Sequence, residues 1–329
     1  MPVTVTAITP VRAVEGGRVT IHGSGFPVEN LSSTTVGDTP ARVSFASPRR
    51  LVVAIPGDLD PGRAPIRIAG VPGETYVAIG GEWATGLHQV DNPIFDTHGN
   101  LFVTYSGSRG QEAPVSIFRV TPSGTREPFV SGIVNATSMA FGPDGLLYVS
   151  SRFDGAVYKV AEDGTHEQVA ADLGVACGIA FGDDGAMYVG DRSGTIFRIK
   201  DAQAAPFATL PPSVAAFHLA MSASGELFVS GPTLGSYDYV YRIDRRGEVR
   251  TLATPLGRPQ GLAFAPDGTL HVVDALAGAS GVYRFTSEDR PPEIVISGAA
   301  LVGVAFGPSG EIVVASNDTA YRFDESATI

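Results

Sequence analysis

The stretch Phe141-Gly-Pro-Asp-Gly-Leu-Leu-Tyr-Val-Ser150, followed by Ala156-Val-Tyr-Lys-Val160, is written six times in variant spellings along this chain. The other copies are Phe95-Asp-Thr-His-Gly-Asn-Leu-Phe-Val103, Phe181-Gly-Asp-Asp-Gly-Ala-Met-Tyr-Val189, Met221-Ser-Ala-Ser-Gly-Glu-Leu-Phe-Val229, Phe264-Ala-Pro-Asp-Gly-Thr-Leu-His-Val272 and Phe306-Gly-Pro-Ser-Gly-Glu-Ile-Val-Val314. Their turn glycines, Gly99, Gly145, Gly185, Gly225, Gly268 and Gly310, are spaced by 46, 40, 40, 43 and 42 residues. Each unit reads as an inner strand ending in Phe or Met, a Pro-Asp-Gly type turn, a second strand, and a third strand of aromatic-base-aliphatic form such as Ile196-Phe-Arg-Ile199. A period near forty with several short strands per unit is the signature of propeller blades. The expected architecture is an all-β, six-bladed propeller from residue 81 to 329, preceded by a small domain over residues 1–80.

Composition agrees with that reading. Gly (40) and Pro (24) are abundant and only 17% of the 329 residues are charged, as in a turn-rich all-β protein. A net charge of -11 argues against a nucleic-acid partner, because phosphate binding needs clustered Lys and Arg. With Cys177 as the one cysteine, no intrachain disulfide forms. No apolar run reaches membrane-spanning length, so no membrane insertion is expected. Met1–Pro10 has neither a basic n-region nor an apolar h-region. The expected location is cytoplasmic if Met1 is the native start, and secreted or periplasmic if a leader has been removed.

Residues 1–80 read as about seven short strands: Val3–Ile8, Arg18–His22, Ser33–Val36, Ala41–Ser44, Leu51–Ile55, Pro65–Ile68 and Tyr76–Ile79. Gly, Pro and Asp turns separate them, which is the spacing of a sandwich. The order Ile8-Thr-Pro, Gly17-Arg-Val-Thr-Ile-His-Gly-Ser-Gly-Phe26, Val36-Gly37, Ala41-Arg-Val43 and Leu51-Val-Val-Ala-Ile-Pro56 resembles the immunoglobulin-like TIG domain. That resemblance implies a spacer, a dimerisation surface or a protein-binding module.

Fourth strands follow five of the blades, at Glu127–Val130, His166–Ala170, Ala205–Thr209, Arg250–Ala253 and Glu293–Ile296. The sixth has only Phe323–Ile329 after its third strand, too little for an outer strand. Gly81-Glu-Trp-Ala-Thr-Gly-Leu87 reads like the first blade's outer strand Glu127-Pro-Phe-Val-Ser-Gly-Ile133, so Trp83–Leu87 is expected to pair with the sixth blade and close the ring. With these motifs in hand, including Pro143-Asp-Gly-Leu-Leu-Tyr-Val149, Leu262-Ala-Phe264 and His271-Val-Val-Asp274, residues 81–329 resemble the NHL-repeat and gluconolactonase (regucalcin-like) propellers.

The two residues that precede each inner-strand core ring one mouth of the channel: Asp91-Asn92, Thr137-Ser138, Cys177-Gly178, Phe217-His218, Gln260-Gly261 and Val302-Gly303. Gluconolactonase-like enzymes hold a divalent cation there, so the resemblance implies Ca or another divalent ion at Asp91 and Asn92, with Asn135 swinging in. Thr137, Cys177, Phe217, Gln260 and Val302 replace the remaining ligands, which leaves that set incomplete. A second constellation is Cys177, His218 and Asp91, the residue types of a thiolate, its base and an orienting acid. His88, His98, His166 and His271 read as loop or strand-surface residues. The longest loops, Tyr105–Ala113, Gly231–Tyr239 and Ala275–Ser280, belong on the face of the inner-strand starts, and Arg109, Arg152, Arg192, Tyr237 and Tyr239 offer ligand contacts there.

Three readings follow. In the first, the propeller binds or scaffolds a protein, peptide or small polar ligand at the channel mouth. In the second it is a metal-dependent lactone hydrolase with Asp91 as one ligand and Asn92 or Asn135 assisting, while Cys177, His218 and Asp91 stand as the separate catalytic candidates. In the third, both domains are assembly modules of a larger complex.

Overall fold

The computed structural model describes residues 2–323, and every regular element among them is a β-strand. Residues 324–329, read above as too short for an outer strand, lie outside the described residues.

The N-terminal domain is a sandwich. Thr4–Thr9, Arg18–Ser24, Arg50–Ala54 and Val43–Ser47 form one sheet, and Thr75–Ile79, Gly62–Arg67, Thr35–Val36 and Thr39–Pro40 belong to the other. Alternation along Arg18–Ser24 buries Val19 and Ile21, which meet Val36, Leu51, Val53, Ile66 and Val77 between the sheets. Two strands escaped the sequence reading, Thr39–Pro40 and Arg12–Ala13.

The second of these joins the domains. Arg12–Ala13 runs parallel to Thr75–Ile79 of the sandwich on one side and to Glu293–Ser297, the outer strand of the fifth blade, on the other. The result is one nine-stranded sheet shared by both domains. Val14 continues across the joint into the apolar cluster of Val273, Val282, Val304 and Phe323. The backbone at Gly17 lies so close that a Cβ would sit 2.6 Å from the Ser297 carbonyl oxygen, which leaves room for glycine alone.

Residues 81–323 form six four-stranded sheets, one of them the blade half of the shared sheet. Their inner and second strands are joined by the repeated turn, whose glycine takes a φ between 76° and 86° in every copy. That left-handed backbone is why Gly is written at this place six times. The sheets close into a ring, because each of six apolar clusters joins neighbouring blades. Phe102, Ile117 and Val130 of the first blade pack on Met139, Leu147 and Val149 of the second, and Ala305, Val313 and Ala320 of the sixth pack on Leu101, Val103 and Val120 of the first. The aromatic of every third strand enters one of these clusters, as the alternation predicts.

Closure is achieved by Gly81–Ala84, which begins two residues before and ends three residues before the expected Trp83–Leu87. Gly81 pairs with Arg322, Glu82 with Tyr321 and Ala84 with Ala320. A register shift lies between Glu82 and Ala84, and beyond it the chain leaves the ladder, with Leu87 and Gln89 N–H still donating to the Asp318 and Asn317 carbonyls. Trp83 turns its ring against Phe95, with Arg322 stacked on it at 4.8 Å.

Candidate functional site

Inner strands begin, and second-to-third-strand loops lie, on one face of the ring. The structure confirms that shared face through hydrogen bonds. Asn135, which precedes the second inner strand, accepts the Gly110 N–H on Oδ1 at 2.7 Å and donates Nδ2 to the Ser106 and Ser108 carbonyls, the latter at 2.9 Å. Its own carbonyl accepts from the Arg152 N–H at 3.4 Å. One asparagine thus holds the long first-blade loop against the second-blade loop, at a φ of 50° that Asn tolerates better than most residues.

At the centre, Asp91 Oδ1 accepts from His218 Nδ1 at 2.6 Å and from the Asn92 N–H at 2.7 Å. Asp91 belongs to the first blade and His218 to the fourth, which face each other across a ring of six, so this bond spans the channel. Facing a carboxylate, Nδ1 carries the ring proton. Both side chains are buried, and His218 Nε2 has no partner among the described residues. Asn92 completes the plug: its Nδ2 donates to the Leu262 carbonyl at 2.7 Å and its Oδ1 accepts from the Val304 N–H at 3.0 Å, joining the first blade to the fifth and sixth.

These bonds decide the metal question. Asn92 and Asn135 both spend their side-chain oxygen on a backbone N–H, and Asp91 shares Oδ1 between a backbone N–H and His218. Among the described residues no three His, Cys, Asp or Glu side chains gather to hold a metal ion. The donors present therefore do not fit the cation that the gluconolactonase resemblance implies.

The thiol constellation is also taken apart. Cys177 is buried, its Sγ lies 3.2 Å from the Val175 carbonyl, and burial pushes the thiol up to about 12. It is a neutral packing group, and His218, whose free nitrogen bonds nothing, does not activate it. Thr137 bonds the Asn135 carbonyl, while Ser138 Oγ accepts the Ile179 N–H from the third blade at 3.1 Å. Phe217 is a fully buried ring packed under Gly190 and Gly231, its carbonyl accepting the Gly178 N–H at 2.9 Å, and Gln260 is buried beside the second-strand end of the fourth blade. Thr137, Ser138, Phe217 and Gln260 thus each make contacts that tie neighbouring strands together.

The arginines behave differently. Arg109, Arg152 and Arg192 come from the loops of three successive blades, and none forms an ion pair among the described residues. Arg152 is half-buried, and its pKa is lowered, chiefly by burial and then, against an opposing effect of Cys177, by Arg109 and Arg192. Arg109 and Arg192 are exposed. Two carboxylates of these loops are occupied by their own turns, Asp154 by Ser151 and Tyr158, and Asp191 by the N–H groups of Val175 and Ser193 and by the Ser193 hydroxyl, while Glu112 of the first-blade loop is exposed. Sequence reasoning passed over His88, which burial and then Arg152 hold below the ordinary histidine range. Its edge-on contact with Tyr105, at 6.1 Å, places it beside the first-blade loop. It also read His271 as a surface residue, whereas that ring is buried against Phe306. Tyr237 stands exposed on the fourth-blade loop, as expected.

A cavity of about 1020 Å³ opens at the opposite mouth. Phe95, Phe102, Phe129, Phe141 and Phe306 line it, with Asp96 and Arg119 at its edge, and it holds none of the candidate residues from the sequence. Asp96 is saturated by Asn100 and the His98 N–H, and Arg119 by Glu127.

Comparison with known proteins now adds to the geometry. Residues 2–80 match the IPT/TIG domain family. The N-terminal sandwich is therefore a TIG domain. No curated protein matches the chain in sequence. Among solved structures, an auxiliary nutrient binding protein from Bacteroides thetaiotaomicron is similar at 12% identity, with 98% of both chains covered and a TM-score of 0.60. A putative gluconolactonase is similar at 15% identity over 73% of this chain and 90% of its own, with a TM-score of 0.59. Virginiamycin B lyase from Staphylococcus aureus is similar at 15% identity over 98% of this chain and 94% of its own, with a TM-score of 0.54. At these identities the likeness is one of fold.

Proposed function

We propose that this protein is a binding propeller that takes an anionic ligand at the channel mouth through Arg109, Arg152 and Arg192. The observation that carries the reading is a half-buried Arg152 that feels the charges of the exposed Arg109 and Arg192, all three outside any ion pair among the described residues, on a chain of net charge -11. Like charges brought together and partly desolvated cost stability unless an opposite charge completes them. A guanidinium offers a planar fork of donors that matches carboxylate or phosphate oxygens. The repeated Pro-Asp-Gly turn and the aromatic-Arg third strand support reading the blades as NHL repeats.

A second reading rests on His218 Nε2, buried without a partner while Asp91 fixes the tautomer that leaves this nitrogen a base. It keeps the lactone-hydrolase idea without the implied cation, His218 taking a proton from water. The sealed position of His218 gives it less support than the binding reading has.

Thermal unfolding with citrate, succinate and inorganic phosphate tests the first reading. A ligand that binds only the native state raises the melting temperature, by about 2.7 kcal/mol of stabilisation at a hundredfold excess over Kd. The rise is expected for the wild type and lost in Arg152→Gln; equal shifts in both proteins, or none, would sink it. A screen of lactones and esters in which His218→Asn retains full turnover would dispose of the second.

A further inference from the structure

Around the arginines the same face carries apolar side chains. Of the ten large apolar residues that stand exposed among the described residues, six lie on loops of this face: Phe153, Val214, Leu234, Tyr237, Tyr239 and Leu276. Leu234 is 94% exposed, with none of the described residues covering it. Phe153, Val214 and the loop of Leu234, Tyr237 and Tyr239 form a connected arc. Phe153 packs against Gly110, beside Arg109, so closely that a Cβ there would lie 2.8 Å from its ring. The Arg192 carbonyl accepts from the Ser213 N–H at 3.0 Å, and the neighbouring Val214 N–H donates to the Pro232 carbonyl at 2.8 Å, which carries the arc to the loop of Leu234 and Tyr237. Thr233 and Asp238 hold that loop in shape with a 2.6 Å hydrogen bond, so its apolar tips are presented on a set backbone.

We propose that the ligand of this face is an acidic, extended segment of a partner protein, its carboxylates over Arg109, Arg152 and Arg192 and its apolar side chains on Phe153, Leu234 and Tyr237. This rests on the binding reading above and narrows it. A small anion is satisfied by the arginines and has no use for the apolar rim. A segment alternating acidic and apolar side chains uses both, and Arg with aromatic anchors is the composition found where partner segments are held tightly. Complementary charge speeds the encounter, while the apolar contacts lengthen the residence.

Fluorescence anisotropy tests it with labelled decapeptides in which Asp and Glu alternate with Phe and Leu, and with two counterparts in which Lys replaces the acids or Ser replaces the apolar residues. The acidic-apolar peptide is expected to bind, the Lys peptide not to bind, and the Ser peptide to bind at least about tenfold more weakly. Leu234→Ser with Tyr237→Ser, both exposed and dispensable for the fold, should weaken the first peptide and leave citrate affinity unchanged. Arg109→Gln with Arg192→Gln should weaken both ligands. If the acidic-apolar peptide binds no tighter than the Ser peptide, or the Leu234 and Tyr237 changes leave it unaffected, the segment is refuted while citrate binding keeps the anion site. If citrate also fails to respond to the arginine changes, both fall together.

Discussion

The two mouths of the channel are built from one repeat and have come out differently. On the turn face, six hairpins that share one left-handed glycine repeat one geometry, polar groups such as Asp96, Asp144 and Asp267 are satisfied within the turns, and Phe rings gather around a cavity of about 1020 Å³. On the loop face the connections differ in length from blade to blade, and charged and apolar groups are left without partners among the described residues. Between them the plug of Asp91, His218 and Asn92 spans the channel. A repeat specifies the surface it repeats, and departures from the repeat mark the surface on which function was added. On this account, changes on the turn face cost stability, and changes on the loop face cost binding.

Phe102→Ala gives the largest test. Phe102 is buried between Phe129 and Phe141, at 5.1 and 5.7 Å between ring centres, and its loss should destabilise by about 3 to 5 kcal/mol in chemical denaturation, with anion binding intact at low temperature. Loss of the anion site without loss of stability would reverse the assignment of the two faces. At the plug, Asp91→Ala strips His218 of its buried partner and should cost about 3 kcal/mol, measured in the same way. A cost near zero would mean that the cross-channel bond holds nothing together.

The joint between the domains sharpens the comparison from outside. Gly17→Ala forces a Cβ onto the Ser297 carbonyl and should cost about 1 to 3 kcal/mol, read as a lower melting temperature for both domains together. Separate melting of the sandwich in the wild type would contradict a shared sheet. Cys177 provides a chemical test. Its folded pKa is raised, so the neutral thiol persists to about pH 12 and its contribution to stability is lost only as pH climbs from the ordinary value of 9.0 towards 12. Native protein at pH 8 should resist iodoacetamide and react on unfolding; fast labelling of the native state would restore Cys177 as a nucleophile. The smallest effect on stability belongs to Arg152→Gln, within about 0.5 kcal/mol of wild type.

Much of the fold was legible because the hairpin turn needs a left-handed backbone and so writes Gly six times at a steady interval. Arg12–Ala13 was not legible, since two residues show no alternation, and their pairing with Ile296 and Ser297 depends on how the domains meet. The closing strand was found but placed two to three residues late, because the register shift after Glu82 is set by its partner strand and not by its own sequence. At the site, the loops and their arginines stood out as interruptions of the repeat. Asn92 and Asn135 read as ligand donors in the sequence, and their partners in the structure, Leu262, Val304 and Gly110, are backbone groups distant in the chain that no side-chain pattern reveals. Asp91 and His218 were both named, but their contact across 127 positions became visible only when the ring closed.

Calorimetric titration of citrate into wild type and Arg152→Gln, at low and high salt, addresses the central claim most directly. An anion held by three guanidinium groups should bind more weakly as salt screens them, and removal of one charge-assisted partner, worth about 1.5 to 3 kcal/mol, should cost at least about tenfold in Kd. Equal Kd values for the two proteins, unchanged by salt, would contradict it.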